Sequence, residues 1–201
     1  MGQPRPDTDR PTWFAWPWRA FLAFLSVAIT FGLSTLSQAA DPAIGRFLDK
    51  VEPGEIVPGA DRFDAIRDDL PVAPAVSGGE TIGWVFLNSD FAGSVGYSGK
   101  PIHVIVGIGL DGVITGAKLV KHYEPIVLVG IPEQEVADVI TGYAGLDVIK
   151  ETGAEAVGHD IDIISGATVT IMVIDDSITR SAIKVARNLG LGGLETETAA
   201  V

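Results

Sequence analysis

The chain has 201 residues, 47% of them hydrophobic, and a formal net charge of −12, enough for one ordinary domain plus an appended segment. Such acidity argues against nucleic acid, whose phosphates demand Lys and Arg. With no cysteine, the chain has no disulfide, thiolate metal site or iron–sulfur cluster of its own, and its core must hold without staples.

Residues 20–33 form an uncharged apolar run, preceded by Arg5, Arg10 and Arg19 and followed by the small residues Ser37, Ala39 and Ala40. Basic flank, short apolar run and small-residue site read as a secretory signal peptide. A retained membrane anchor is the rival, because residues 13–36 approach the length of a span with tryptophans at its edge. The arginines are not adjacent, so there is no twin-Arg signal. Export by the general pathway moves an unfolded chain, and any cofactor would be loaded outside the cytoplasm. Residues 1–39 hold three Arg against two Asp, so the acidity belongs to the remainder.

Residues 41–51 are expected to form a short helix carrying Ile44, Phe47, Leu48 and Val51, ended by Pro53-Gly54. Residues 53–79 read as a loop region with one short helix at 61–69. Residues 80–87 alternate Ile82, Trp84 and Phe86 as a strand; 93–100 is a Gly/Ser-rich loop. Residues 101–110 and 113–122 are strands joined by the tight turn Asp111-Gly112. Residues 133–143 should be helical behind Pro132, and 161–164 a short strand. The last helix repeats Ile171, Ile174, Ile178, Ala182, Val185 and Leu189 at spacings of three and four, and stops at Gly190. This order predicts an α+β fold, an antiparallel sheet flanked by helices.

Gly107, Gly109 and Gly112 match dinucleotide-binding spacing, but a strand follows where that chemistry needs a helix N-terminus. His103, His122 and His159 are too dispersed for a local metal motif; His103 reads as structural, whereas His122 and His159 lie near element ends. No nucleophile elbow is present, so a hydrolase has no support. Ser165-Gly166-Ala167-Thr168 opens the final helix. A helix start offers unpaired N–H groups and the positive end of the dipole, a ready phosphate site, and Gly166 permits close approach. The plainer reading is an N-cap, for which Ser and Thr are common.

The run Asp162-x-x-Ser165-Gly166-Ala167-Thr168 resembles the flavinylation motif of the FMN-binding domain family. That family includes subunits of sodium-pumping and electron-bifurcating complexes and the NosR-type regulators of nitrous oxide respiration. The resemblance extends to Gly96 through Ile102, to Asp111 through Lys118, and to Lys121-His122-Tyr123-Glu124-Pro125-Ile126, which is similar to the NosR branch rather than to the Glu-Thr-Pro-Gly of other members. It implies the family's fold, and FMN joined through its phosphate to the Thr168 hydroxyl by a periplasmic flavin transferase that uses Asp162 in recognition. Ser165, Gly166 and Ala167 complete the motif. Tyr97, Ser98 and Gly99, with His122 and Glu124, are candidate contacts of the flavin ring.

The resulting division is 1–39, signal peptide or N-terminal membrane anchor; 40–79, N-terminal helix and loop region; 80–190, FMN-binding domain; and 191–201, disordered tail. The expected function is an exported, periplasmic electron-transfer module with covalent FMN, in NosR-type support or regulation of nitrous oxide respiration. It would work with a membrane redox partner or the nitrous oxide reductase system, and the N-terminal segment could anchor it to the inner membrane. NosR-type proteins continue into membrane helices and cysteine-rich clusters. This sequence stops shortly after the flavin helix, as a fragment, a truncated product or a stand-alone relative would. The competing class is an exported acidic binding or scaffold domain without cofactor.

Overall fold

A computed structural model describes residues 42–152 and 163–194. The N-terminal apolar run, His159, Asp162 and the tail from 195 lie outside the described residues. Five antiparallel strands pair in sequence order: β1 (Arg62–Phe63), β2 (Val72–Ser77), β3 (Glu80–Leu87), β4 (His103–Gly109) and β5 (Ile114–Lys121). Around the sheet are α1 (Pro53–Ile56), α2 (Asn88–Phe91), α3 (Pro125–Val129), α4 (Glu133–Thr141), α5 (Val148–Glu151) and the long α6 (Thr168–Leu189). The fold is α+β, with an antiparallel sheet and flanking helices, as the periodicities predicted.

The period of two puts successive side chains on opposite faces, and both faces are covered. Phe86, Val104, Val106 and Ile108 meet Ile171, Ile174, Ile178, Ala182 and Val185 of α6 and Val136 and Ile140 of α4 in one core. Val85, Leu87 and Ile105 turn the other way, onto Ile44, Phe47, Val51, Ile56 and Val57. The spacing of three and four in α6 therefore reports a buried stripe, and Gly190 ends that helix at φ 65°, a left-handed conformation that glycine adopts without penalty.

The N-terminal region departs from expectation. Residues 43–50 form two 3-10 turns, Ala43–Arg46 and Leu48–Lys50, although Ile44 and Phe47 are buried as predicted. Pro53-Gly54 opens α1 instead of ending a helix, because proline suits the first helical position. Residues 61–69 are not helical, and β2 lies within the stretch read as loop. Pro74 hid β2 from the strand signals. Residues 163 and 164 are not in a strand, and α2, α3 and α5 have no counterpart among the predicted elements.

The glycines of the false dinucleotide motif are explained by contact. A Cβ on Gly107 would lie 2.5 Å from the Ile56 carbonyl oxygen, which accepts a bond from Thr115 Oγ1 at 2.8 Å. Glycine there lets α1 press onto the sheet. Gly112, at φ 83°, closes the β4–β5 turn.

Candidate functional site

The site is assembled where α6 begins. Ile164 and Ala167 are tied by a bond from the Ala167 N–H to the Ile164 carbonyl at 3.0 Å, and Gly166 takes φ 89° between them. Ala167 is buried and occupies the N-cap position, where it provides no side-chain cap. The first helical bond of α6 is from the Ile171 N–H to Ala167 at 2.9 Å, so the amides of Thr168, Val169 and Thr170 precede the ladder. Such amides, at the positive end of a 22-residue helix, favour an anion.

Ser165, Gly166 and Thr168 are exposed. Neither hydroxyl caps the helix, contrary to the plain N-cap reading, because the capping position falls on an alanine. Nothing lies within 4 Å of a Cβ built on Gly166, so the approach is open. Exposed apolar side chains border it: Val169 and Met172 on the outer first turns of α6, and Tyr97, 71% exposed, in the 93–100 loop.

Glu124 connects this loop to the helix. It is fully buried, and its carboxyl group accepts from the Tyr97 N–H at 3.2 Å, the Ser98 N–H at 3.3 Å and the Thr170 hydroxyl at 3.1 Å. Its carbon and both oxygens lie 2.4–2.5 Å from where a Cβ on Gly96 would stand. Glycine at 96 is therefore what admits the carboxyl group behind the loop. His122 sits next to it: its Nδ1 accepts from the Glu124 N–H at 3.3 Å, and its Nε2 is 4.0 Å from Glu133. Gly99 is exposed at φ 66° in the turn that follows.

The geometry thus brings Tyr97, Ser98 and Glu124 to the first turn of α6, two residues past Thr168, with His122 bound to the backbone of Glu124. Asp162 lies outside the described residues. Thr170 and Gly96 were not singled out from the sequence. Gly96 lies inside the Gly/Ser-rich loop and opens the segment that resembles the family, but nothing in the sequence gives it a role; nothing marks Thr170, because the partner that gives it a role is 46 residues away.

Farther along α6, Asn88 is buried and uses both ends of its amide: Nδ2 donates to the Ile102 carbonyl at 3.0 Å and to Ser177 at 2.8 Å, and Oδ1 accepts from the Val104 N–H at 2.8 Å. It fixes α2 and β4 against the helix. The Tyr143 hydroxyl donates to Asp175 at 2.9 Å; burial, then the Asp175 charge, raises its pKa far above the usual phenol range. His103 stacks on Phe47 at 5.1 Å and meets Ser89 at 2.7 Å, in keeping with a structural role. Burial, with Lys121 and Arg46 adding and Asp90 opposing, pulls its pKa down.

The described residues form a small α+β domain in which an open helix start, suited to an anion, is tied to a glycine-rich loop by a buried carboxyl group. Residues 96–182 match the FMN-binding domain family, and this part of the chain is a domain of that family. The chain is 34% identical over 172 residues to the regulatory protein NosR of Stutzerimonas stutzeri, covering 84% of this chain and 23% of that protein. Protein NirI of Paracoccus denitrificans is 40% identical over 116 residues, 57% of this chain and 17% of its own length. A component of the Na(+)-translocating ferredoxin:NAD(+) oxidoreductase complex of Acetobacterium woodii is 32% identical over 123 residues, 60% and 56% of the two chains. The chain spans about a quarter of the length of NosR and less of NirI. Among the described residues no helix is long and apolar enough to cross a membrane, and no group of three or more His, Cys, Asp or Glu could hold a metal ion.

Proposed function

We propose that the chain is an exported flavoprotein domain that carries FMN covalently, as a phosphoester on Thr168, and passes electrons between partners. The observation that carries this reading is the Thr168 hydroxyl. It is exposed on the first residue of α6, while the capping position is held by Ala167. A threonine so placed is available for modification and stands among the amides of a helix start, where phosphate oxygens are favoured.

FMN supplies one- and two-electron redox chemistry. The chain's part is to hold and surround it. The Val169 and Thr170 amides, with the Ser165–Ala167 turn, would receive the phosphate. Tyr97, Ser98, Gly99 and His122 would border the ring, with Val169 and Met172 offering apolar surface. Glu124 is enclosed and holds the Tyr97 and Ser98 amides in position from behind. Asp162 would serve recognition by a periplasmic flavin transferase. A tether keeps the flavin at a high effective concentration where a dissociated one would diffuse away. By relation to NosR, the partners would be a membrane redox protein or the nitrous oxide reductase system. The location would be the periplasm, at the inner membrane if the N-terminal run is retained.

Co-expression with a flavin transferase, followed by denaturation and intact-mass measurement, tests the proposal. The expected product stays yellow when unfolded and is heavier by one FMN less one water. Thr168→Ala is expected at the bare polypeptide mass. Colour lost on unfolding, or retained in Thr168→Ala, refutes the phosphoester; an unmodified wild-type chain would fit an exported acidic binding domain.

A further inference from the structure

In a chain of net charge −12, cations are few, and where they stand without a carboxylate is informative. Arg62, Arg67, Lys118, Lys150 and Arg180 each meet a carboxylate, and Lys184 donates to the Phe91 carbonyl at 2.7 Å. Arg46, Lys50, Lys100 and Lys121 are exposed and, among the described residues, form no ion pair; Arg187, in the last turn of α6, likewise forms none. Arg46, Lys50, Lys100 and Lys121 come from separate parts of the chain and converge. His103 pairs with Lys121 across β4 and β5. Phe47 stacks on His103, and Lys50 lies 4.8 Å from the Phe47 ring. Lys100 and Lys121 lie 4.3 and 5.0 Å from the centre of the Tyr123 ring. Arg46 is near enough to act electrostatically on both His103 and Tyr123.

We propose that this patch, Arg46, Lys50, Lys100 and Lys121 over a floor of Phe47, His103 and Tyr123, is the docking surface for an acidic protein partner. Lys50 rests on the Phe47 ring and Lys100 and Lys121 on the Tyr123 ring, which holds these three in place without neutralising them. Lys100 belongs to the same loop as Tyr97, which is 71% exposed, and Tyr123 immediately precedes Glu124. The charged surface therefore runs into an apolar centre at the loop tip, the composition of a protein interface with a polar rim. Acidic side chains are interspersed: Asp49 is exposed beside Lys50, and Asp90 accepts from the Ala43 and Ile44 amides at 3.0 and 2.9 Å. A pattern of mixed sign favours a partner with its own register of charges over a uniformly anionic bilayer. The rest of this surface is acidic and repels such a partner, so the patch selects its orientation and brings it alongside the loop. That the docked partner exchanges electrons there rests on the FMN reading; the docking itself does not.

The test uses the full chain and two probes, a fluorescent decaglutamate peptide and phosphatidylglycerol vesicles. The peptide is expected to bind at low salt and to be released at high salt. Lys100→Glu with Lys121→Glu, and separately Arg46→Glu with Lys50→Glu, should each weaken binding on the order of tenfold. Lys118→Glu with Lys150→Glu, which reverses cations already paired elsewhere, should leave it unchanged. Thr168→Ala should bind as the parent does, so loss of the flavin and loss of the patch are distinguishable. No peptide binding at low salt, equal losses from the Lys118/Lys150 variant, or tighter binding to the vesicles than to the peptide overturns the proposal.

Discussion

Consider replacing Gly96 with alanine. Gly96 does not have the positive φ that favours glycine, so the backbone accepts the change and the effect is steric. The new Cβ would stand 2.4 Å from Glu124 Oε1 and 2.5 Å from Cδ and Oε2. Ordinary contact requires about one ångström more. Glu124 is fully buried, and a shift of that size breaks bonds that are already 3.1–3.3 Å long. Each bond is worth about 1–3 kcal/mol. With partial relaxation of the loop, and a small gain from the stiffer unfolded chain, we expect a loss of about 2–4 kcal/mol. For a chain of this size that is roughly 5–15 °C in Tm. Glu124→Ala should cost a similar amount, because it leaves two amides and a buried hydroxyl without an acceptor. The double variant is the decisive sample. Once the carboxyl group is gone, the alanine at 96 has nothing to strike, so the two losses should fall short of their sum by at least about 1.5 kcal/mol. Urea denaturation of the four proteins measures this. Additivity within about 0.5 kcal/mol, or an unchanged Tm for Gly96→Ala, would refute the argument that Gly96 exists to admit Glu124.

Two further outcomes follow from the packing and from His103. Ile174→Ala, which empties a fully buried position between α6 and the sheet, should cost about 2–5 kcal/mol, whereas Met172→Ala, at a 57% exposed position on the same helix, should stay within about 0.5 kcal/mol; thermal melts of the pair check both. His103 has its pKa lowered from 6.5 by burial and by Lys121 and Arg46, so over the window just below that value the unfolded chain takes up a proton that the folded one refuses. Stability should therefore fall as pH drops through about 6.5 and level off below the folded pKa, and His103→Gln should flatten that part of the curve in urea midpoints measured from neutral to mildly acid pH.

The parts of this protein visible in its sequence are those set by local rules. The β4–β5 hairpin is written in two β-branched runs around Asp111-Gly112. The buried stripe of α6 is written in its spacing of three and four, with Gly190 as its stop. The helix start at Ser165–Thr168 is legible as a place suited to phosphate, and the proposal of FMN on Thr168 comes from resemblance to the family motif. What pairs distant residues was not legible. Strand β2 reads as a loop because Pro74 interrupts it, and its pairing with β1 and β3 makes it a strand. Glu124 could be picked out as polar and near the site, but not as a fully buried group bonded to Tyr97, Ser98 and Thr170, because two of those partners come from a loop 26 and 27 residues away and the third from a helix 46 residues away. Gly96 and Gly107 read alike as glycines in a chain rich in them, and the tertiary contacts gave each its reason: a carboxyl group behind one, the Ile56 carbonyl against the other. The four cations of the patch lie at positions 46, 50, 100 and 121, where no charge run marks them. Local sequence determines which backbone each segment prefers; which side chains then share a buried space or a surface is decided by chain closure across the sheet.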